Sequence, residues 1–303
     1  MTDTIAYIHR SLEEIYPRSE INSFIRLIME RVCGLPPYKL LLGKDTELSD
    51  TEKTQIQEIV ERLKNEEPLQ YILGEADFYG LLFKVTPSVL IPRPETEELV
   101  DLIIKEQLPN KERPLRLMDI GTGSGCIAIT LAHHLKQAEV YAMDISREAL
   151  AIAYENAQKL HTDICFIEND ILTYREKSTT GGMKIFTPTG EEMTKTPSFE
   201  GNLQLIVSNP PYIMQKEKRE MEKNVLDYEP HLALFVPDND PLLFYRQIAR
   251  FGQQALSNDG FIYFEINAQC GEATAIMMEK EGYRNVSLIR DLSNKDRIIK
   301  AQK

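Results

Sequence analysis

Cysteine is scarce in this chain, and none of it is paired along the sequence. Cys33, Cys126, Cys165 and Cys270 are far apart, form no Cys-x-x-Cys motif and sit among apolar neighbours. That pattern excludes a disulfide framework and a cysteine zinc site, and points to free thiols in a reducing compartment. Histidine is sparse as well: His133 and His134 adjoin in one predicted helix but lack the i, i+4 partner of a helix-borne metal site, so no metal is expected. No apolar run reaches membrane-spanning length, and Met1–Ile15 has no basic start leading into an apolar stretch. A cytoplasmic protein with no membrane partner is the expectation. Excess positive charge is also missing. The net charge of −12 repels phosphate backbones, keeps the chain soluble, and predicts no direct nucleic-acid partner.

What is present is ordinary for a folded protein: 303 residues, 42% hydrophobic and 27% charged, enough for a core domain and a smaller companion. Residues 1–75 read as helices, with Ile21, Phe24, Ile25 and Ile28, then Ile56, Ile59, Val60 and Leu63, at helical spacing. Gly34-Leu35-Pro36-Pro37 breaks the run, and Ser49-Asp50 offers a capped restart. Residues 76–94 change texture. Phe78, Tyr79, Leu82, Phe83, Val85, Val89 and Leu90, interrupted by Gly80 and Pro87, predict a β-hairpin bridging two domains. Pro92 and Pro94 disfavour helix before them, and a helix follows through Leu99, Val100, Leu102, Ile103 and Ile104.

Over residues 95–303 strands and helices alternate. Strands are predicted at Leu115–Ile120, Val140–Met143, Ile164–Ile167, Leu203–Ser208 and Phe261–Ile266. Helices are predicted from near Ser124, after a Ser146 cap, and from about Leu242 to Leu256, with a helix and two β segments closing the chain. This is the pattern of an open, doubly wound α/β sheet. Glu176–Gly201 breaks it with an aperiodic stretch of Lys, Thr, Gly, Pro and Glu, read as a mobile insertion in preference to a hairpin around Gly181-Gly182.

Asp119-Ile120-Gly121-Thr122-Gly123-Ser124-Gly125 follows a strand and opens a helix. Glycines let the backbone turn tightly and let a ligand lie against it. A dinucleotide fingerprint places its third glycine three residues after the second, here Cys126; this chain has Gly125 instead. A tighter turn suits a ligand without a pyrophosphate, such as S-adenosylmethionine. Asp144, ending the second strand, stands where one carboxylate can accept from both ribose hydroxyls, although an acid beside Ser146 also suits helix capping. Asp170, after the third strand, is placed to accept from an adenine amino group or to make a turn.

Ser208-Asn209-Pro210-Pro211-Tyr212 follows the apolar strand Leu205-Ile206-Val207, so Asn209 is expected to face the ligand crevice. Two prolines remove two backbone donors and stiffen the chain. The Asn209 side-chain oxygen and the Pro210 carbonyl then remain as acceptors for a target NH2, with Tyr212 free to stack on a flat target group. Asn209, Pro210 and Tyr212 are thus the candidate catalytic residues, and Asn209–Tyr212, including Pro211, the candidate substrate cradle.

With these motifs the chain resembles the glutamine N5-methyltransferases that modify the Gly-Gly-Gln loop of bacterial peptide chain release factors. The resemblance runs nearly the whole length, through Glu67–Gly74 with Phe78-Tyr79-Gly80, Ile91–Glu97, Asp119–Gly125 and Ile206–Ile213. It implies a class I, Rossmann-like methyltransferase sheet with an antiparallel last strand, behind a small helical domain that recognises the release factor. It implies S-adenosylmethionine as cofactor, held by Gly121, Thr122, Gly123, Ser124, Gly125, Asp144, Asp170, Ile171 and Asn209. Such enzymes often carry an aromatic residue after the acid at Asp170 to pack on adenine; Ile171 makes that contact aliphatic here. A monomeric enzyme with release factors as protein substrates is expected. Asn-Pro-Pro-Tyr is shared with DNA adenine methyltransferases, so the alternative is a DNA or RNA amino-methyltransferase acting on adenine or guanine. A non-catalytic binding protein and a nicotinamide dehydrogenase are the remaining alternatives.

Overall fold

The computed structural model describes residues 1–36, 38–39, 46–110, 114–174, 184–186 and 199–303, which fall into two compact units. The smaller unit joins residues 1–74 to a returning segment, 222–228. Its helices are α1 (Thr2–Leu12), α2 (Arg18–Cys33), α3 (Asp50–Lys64) and α4 (Leu69–Leu73). Apolar residues at three- and four-residue spacing form one stripe per helix, and Ile8, Leu12, Ile21, Ile25, Ile28, Met29, Ile56, Val60 and Leu63 bury those stripes together. Ser49 starts α3 through a capping box: its Oγ accepts from the Glu52 N–H, and its own N–H donates to Glu52 Oε2 at 2.7 Å. The returning segment is tied in by Lys223 to Glu66 Oε2 (2.6 Å) and by the Tyr228 hydroxyl to the Asn65 carbonyl (2.8 Å).

The larger unit comprises residues 75–221 and 229–303. It begins with a hairpin, β1 (Glu75–Phe78) and β2 (Leu81–Lys84), whose two-residue turn holds Tyr79 and Gly80 at φ +49° and +75°. Two consecutive positive φ values give the turn whose twist matches the flanking strands. The hairpin belongs to this unit and packs on it. Phe78 and Phe83 are buried beside Leu99, Val100 and Ile103 of α5 (Pro94–Gln107). Buried Asn156 accepts from the Lys84 N–H and donates to the carbonyls of Lys84 and Ser124, linking the hairpin to the glycine turn.

Among the described residues the main sheet has eight strands in the order β11-β12-β10-β7-β3-β4-β5-β6. Those not yet placed are β3 (Leu115–Ile120), β4 (Ala138–Asp144), β5 (Ile164–Glu168), β6 (Lys184–Phe186), β7 (Leu203–Ser208), β10 (Leu256–Glu265), β11 (Arg284–Arg290) and β12 (Asp296–Gln302). β10, β7, β3, β4 and β5 run parallel, whereas β12 is antiparallel to both of its neighbours. The expected doubly wound sheet with an antiparallel last strand is the one that forms. A minor pair, β8 (Ile213–Met214) and β9 (Phe235–Val236), lies apart from it. Side chains alternate between the faces of a strand, and here both faces are apolar. Leu117, Val140, Ala142, Leu205 and Val207 pack on one side with α6 (Cys126–His134) and α7 (Arg147–Lys159). Met118, Tyr141, Met143 and Ile206 pack on the other with α8 (Leu243–Ala255) and α9 (Gly271–Lys280).

Three expectations shift. The helix after the glycine turn starts at Cys126, because Gly121, Gly123 and Gly125 all hold positive φ. β10 starts at Leu256 rather than Phe261, with an irregular register against β7 between those residues. Within the insertion, expected to be mobile, Lys184–Phe186 pairs antiparallel with β5 as an edge strand and Phe199 is buried against Tyr141, while residues 176–183, with the Gly181-Gly182 hairpin, and 187–198 lie outside the described residues. Among the described residues, no helix is long and apolar enough to cross a membrane.

Candidate active site

The five parallel strands present their carboxyl ends along one edge, where open α/β sheets bind ligands. Segments following β3, β4, β5 and β7 wall a cavity of about 230 Å³ that reaches Gly121–Ser124, Asp144–Ser146, Asn169–Leu172 and Ser208–Pro211. Ser88–Leu90, Arg93 and Thr96 join the wall, with Phe244 and Ile248 of α8 and the exposed Leu232.

The turn after β3 is held from below. The N–H groups of Gly121 and Thr122 donate to the Met143 carbonyl at 2.8 and 3.0 Å, and the Gly123 N–H donates to Asp144 Oδ2 at 2.9 Å. A Cβ on Gly121 or Gly123 would meet nothing within 4 Å, so open space stands over bare backbone. Gly125 serves a different purpose. A Cβ there would approach Ile129 Cδ1 to 2.7 Å and Ala153 Cβ to 3.1 Å, and the residue lies off the cavity wall. Its lack of a side chain is required by the packing of α6 and α7.

Asp144 braces the turn as well as lining the cavity, because its Oδ1 accepts from the Ser146 N–H at 2.9 Å while Oδ2 holds Gly123. Ser146 itself caps α7, its Oγ accepting from the Ala149 N–H. Burial pushes the Asp144 carboxyl above its ordinary range, against the opposing pull of the Ser146, Gly123 and Ile145 N–H groups. Asp170 lies on the wall and accepts from the Leu172 N–H at 2.9 Å; Ile171 lines the wall and packs on the sheet.

Asp119, at the end of β3 and fully buried, was not among the candidate site residues. It accepts from the Thr122 hydroxyl at 2.7 Å, yet burial outweighs that bond and raises its pKa from 3.8 to about 7. An acid whose folded pKa lies above its unfolded one holds extra protons in the folded state between those two values. Its ionisation therefore costs stability progressively as pH rises from about 4 to 7, by on the order of 4 kcal/mol in full. Asp119→Asn removes that cost. In urea denaturation of the ligand-free protein, followed by circular dichroism, the variant is expected to have the higher midpoint at pH 8 and to lose its advantage progressively as pH falls to about 4. Equal midpoints at pH 8 would show Asp119 to be accommodated as a carboxylate.

The loop after β7 is locked on both sides. Ser208 Oγ donates to the Ile120 carbonyl at 2.5 Å, joining β7 to the start of the glycine turn. Asn209 Nδ2 donates to Thr96 Oγ1 at 3.2 Å, and Thr96 Oγ1 donates to Glu265 Oε2 at 2.5 Å. Since its NH2 faces Thr96, the remaining amide oxygen of Asn209 is free to accept. Asn209, Pro210 and Pro211 line the cavity. Tyr212 does not: its half-buried ring packs against the core cluster that includes α8, and its hydroxyl donates to Glu265 Oε1 at 3.1 Å. Burial and the neighbouring Glu265 hold that phenol far above its ordinary pKa, so it stays protonated.

Thr96, Glu265, Arg93 and Glu229 were likewise not among the candidates. Arg93, on the cavity wall, pairs with Glu229 at 2.5 Å, and Glu229 is 4% exposed. Thr96 and Arg93 lie in the Pro-Arg-Pro-Glu-Thr-Glu stretch, where the motif was visible but no role was. Glu265 ends β10 as Asp144 ends β4, so the rule that singled out Asp144 would have found it.

Residues 3–74 match the family model described as the PrmC N-terminal domain, and residues 117–183 match a methyltransferase domain. The chain is 46% identical over 303 residues to the release factor glutamine methyltransferase of Bacteroides thetaiotaomicron, covering 100% of each. It is 44% identical over 292 residues to that of Flavobacterium psychrophilum, covering 96% of this chain and 95% of the relative. Among solved structures, the hMettl16 catalytic domain in complex with a MAT2A 3′UTR hairpin gives a TM-score of 0.51 at 14% identity, over 84% of this chain and 80% of that one. That likeness is one of fold alone.

Proposed function

The chain belongs to the release factor glutamine methyltransferases, and from that membership we propose that Asn209 and Pro210 hold the target glutamine above the Gly121–Gly123 turn. The enzyme is S-adenosylmethionine-dependent and methylates the side-chain amide nitrogen (N5) of the glutamine in the Gly-Gly-Gln motif of peptide chain release factors. One observation carries the assignment of the cradle: Asn209 lines the cavity and gives its NH2 to Thr96, which leaves its oxygen as an acceptor.

The wall suits the cofactor. Asp144 would take the ribose hydroxyls, Asp170 the adenine amino group, and Ile145, Ile171 and Leu172 the flat apolar surface, while bare Gly121 and Gly123 admit the ligand close to the backbone. When bound, S-adenosylmethionine supplies a methyl group activated by a positively charged sulfur. The protein's own task is to present a poor nucleophile. An amide lone pair is delocalised, and holding it in line can supply roughly 7–11 kcal/mol of the barrier. The Asn209 oxygen and the Pro210 carbonyl accept the two amide hydrogens, and both bonds strengthen as the nitrogen gains positive charge. No base is required, because a cationic N-methylated amide loses its proton to water readily. Tyr212 stabilises the loop from behind through Glu265.

The helical residues 1–74 are the part we assign to release-factor recognition, supported by their match to a domain model particular to this family. We place the enzyme in the cytoplasm as a monomer; its four free thiols suit a reducing compartment. A nucleic-acid amino-methyltransferase fits less well, given the names of the relatives and a net charge of −12. The test is mass spectrometry of a purified bacterial release factor after incubation with the protein and S-adenosylmethionine. One added methyl on the motif glutamine is expected. A release factor left unmodified, or modified elsewhere, overturns the reading.

A further inference from the structure

We propose that Glu265 and Thr96 are positioning residues that set which end of the Asn209 amide faces the substrate, and so make the site select an amide over a carboxylate. The inference rests on the functional reading above and adds the device that enforces it.

The direction of the hydrogens carries the argument. A carboxylate has lone pairs and no hydrogen to give. Glu265 is 1% exposed at the end of β10, and its two oxygens are met by the hydroxyls of Thr96 (2.5 Å) and Tyr212 (3.1 Å). The Thr96 distance is that of a short, charge-assisted O–H···O⁻ bond. Thr96 owns one hydroxyl hydrogen. Once that is donated to Glu265, its oxygen can only accept, and the group it accepts from is Asn209 Nδ2 at 3.2 Å. Flipping the Asn209 amide would bring its oxygen against the Thr96 oxygen with no hydrogen between them. The flip would also aim an NH2 at the cavity, which suits a carboxylate guest and repels an amide NH2. A chain of two bonds, Asn209 to Thr96 and Thr96 to Glu265, thus converts the polarity of one acid into the polarity of the cradle.

Burial holds the Glu265 carboxyl above its ordinary pKa, against the opposing pull of the Thr96 hydroxyl, the Arg297 charge and the Tyr212 hydroxyl. Arg297 is itself held, its Nε donating to Asp291 Oδ2 at 3.1 Å with both side chains largely buried. Thr96 stands in the first turn of α5 and Glu265 at a strand end, so the two residues that direct Asn209 are on regular elements rather than loops.

Isosteric replacement tests the relay. Thr96→Val keeps shape and loses the hydroxyl; Thr96→Ser keeps the hydroxyl. For T96V the expected result is a kcat on release factor lower by about tenfold or more, because an unconstrained amide samples both faces. The KM for release factor should move much less, and S-adenosylmethionine affinity by calorimetry should be unchanged. T96S should recover most of the rate. A second readout needs no cofactor: wild-type protein should bind release factor in preference to a variant with glutamate at the target glutamine, and T96V should lose that preference. Glu265→Gln, which can offer Thr96 an NH2 and let its hydroxyl reverse, should show the same split. Wild-type protein that fails to methylate release factor overturns the functional reading together with this inference. Active wild type with an equally fast and equally selective T96V overturns this inference alone. So does a T96S that is as impaired as T96V, which would assign Thr96 to packing.

Discussion

A release factor carrying glutamate in place of its target glutamine is expected to be methylated about 10⁴-fold or more slowly, in kcat/KM, than the natural substrate. The two side chains are nearly the same size and shape, so sterics cannot produce that ratio. Hydrogen count can. Pro210 and Pro211 bring no N–H to the loop, and the Asn209 NH2 is committed to Thr96. What the loop presents to the cavity is therefore acceptors. A glutamine NH2 fills two of them; a glutamate carboxylate sets lone pairs against lone pairs. Its charge also meets the acid Asp144 on the same wall. Leaving buried polar groups unpaired is the costly outcome that gives such sites their selectivity. Parallel assays on the two substrates, with the methylated peptide quantified by mass spectrometry, decide the matter. Rates within about tenfold of each other would mean that the cradle is not built from acceptors.

Local signals were legible in the sequence and distant pairings were not. The glycine turn could be read because glycines between a strand and a helix have few other uses, and all three do hold positive φ. Ser146 and Ser49 could be read as caps because the group each cap satisfies lies only three residues on. Gly125 is expected from the motif to hold the cofactor, and the spacing gives no sign that a side chain there would also meet Ala153, on a different helix. Tyr212 is expected to stack on the target; that its hydroxyl finds Glu265, 53 residues away, and that its ring packs against the core cluster left no sign in the sequence. Thr96 and Glu265 are 169 residues apart, and their bond has no trace in spacing or periodicity. Segment 222–228 sat inside a stretch of alternating strands and helices, and only its tertiary partners Glu66 and Asn65 group it with the amino-terminal helices. Periodicity also marked the strands by their apolar runs, which is why β10 was recognised from Phe261 and its irregular start at Leu256 was missed.

Asn209→Ala is expected to lower kcat by about 10²–10³-fold while leaving the fold intact. The side chain makes one hydrogen bond, to Thr96, so its loss costs the folded state about 0.5–1.5 kcal/mol. Circular dichroism and the urea midpoint should therefore change little. The catalytic loss is larger for two reasons. First, the Asn209 oxygen is held in place before substrate arrives, by Thr96 at its other end and by prolines on its carboxyl side, so no reorganisation accompanies the reaction. Second, the bond it makes grows stronger as the amide nitrogen becomes cationic, so removing it raises the transition state more than the bound substrate. That signature separates it from a simple binding defect: kcat and kcat/KM should fall together, with KM for release factor nearly constant. A raised KM with kcat preserved would assign Asn209 to ground-state binding. Near-wild-type kinetics would remove it from the reaction, and with it the acceptor cradle from which the glutamate prediction is drawn.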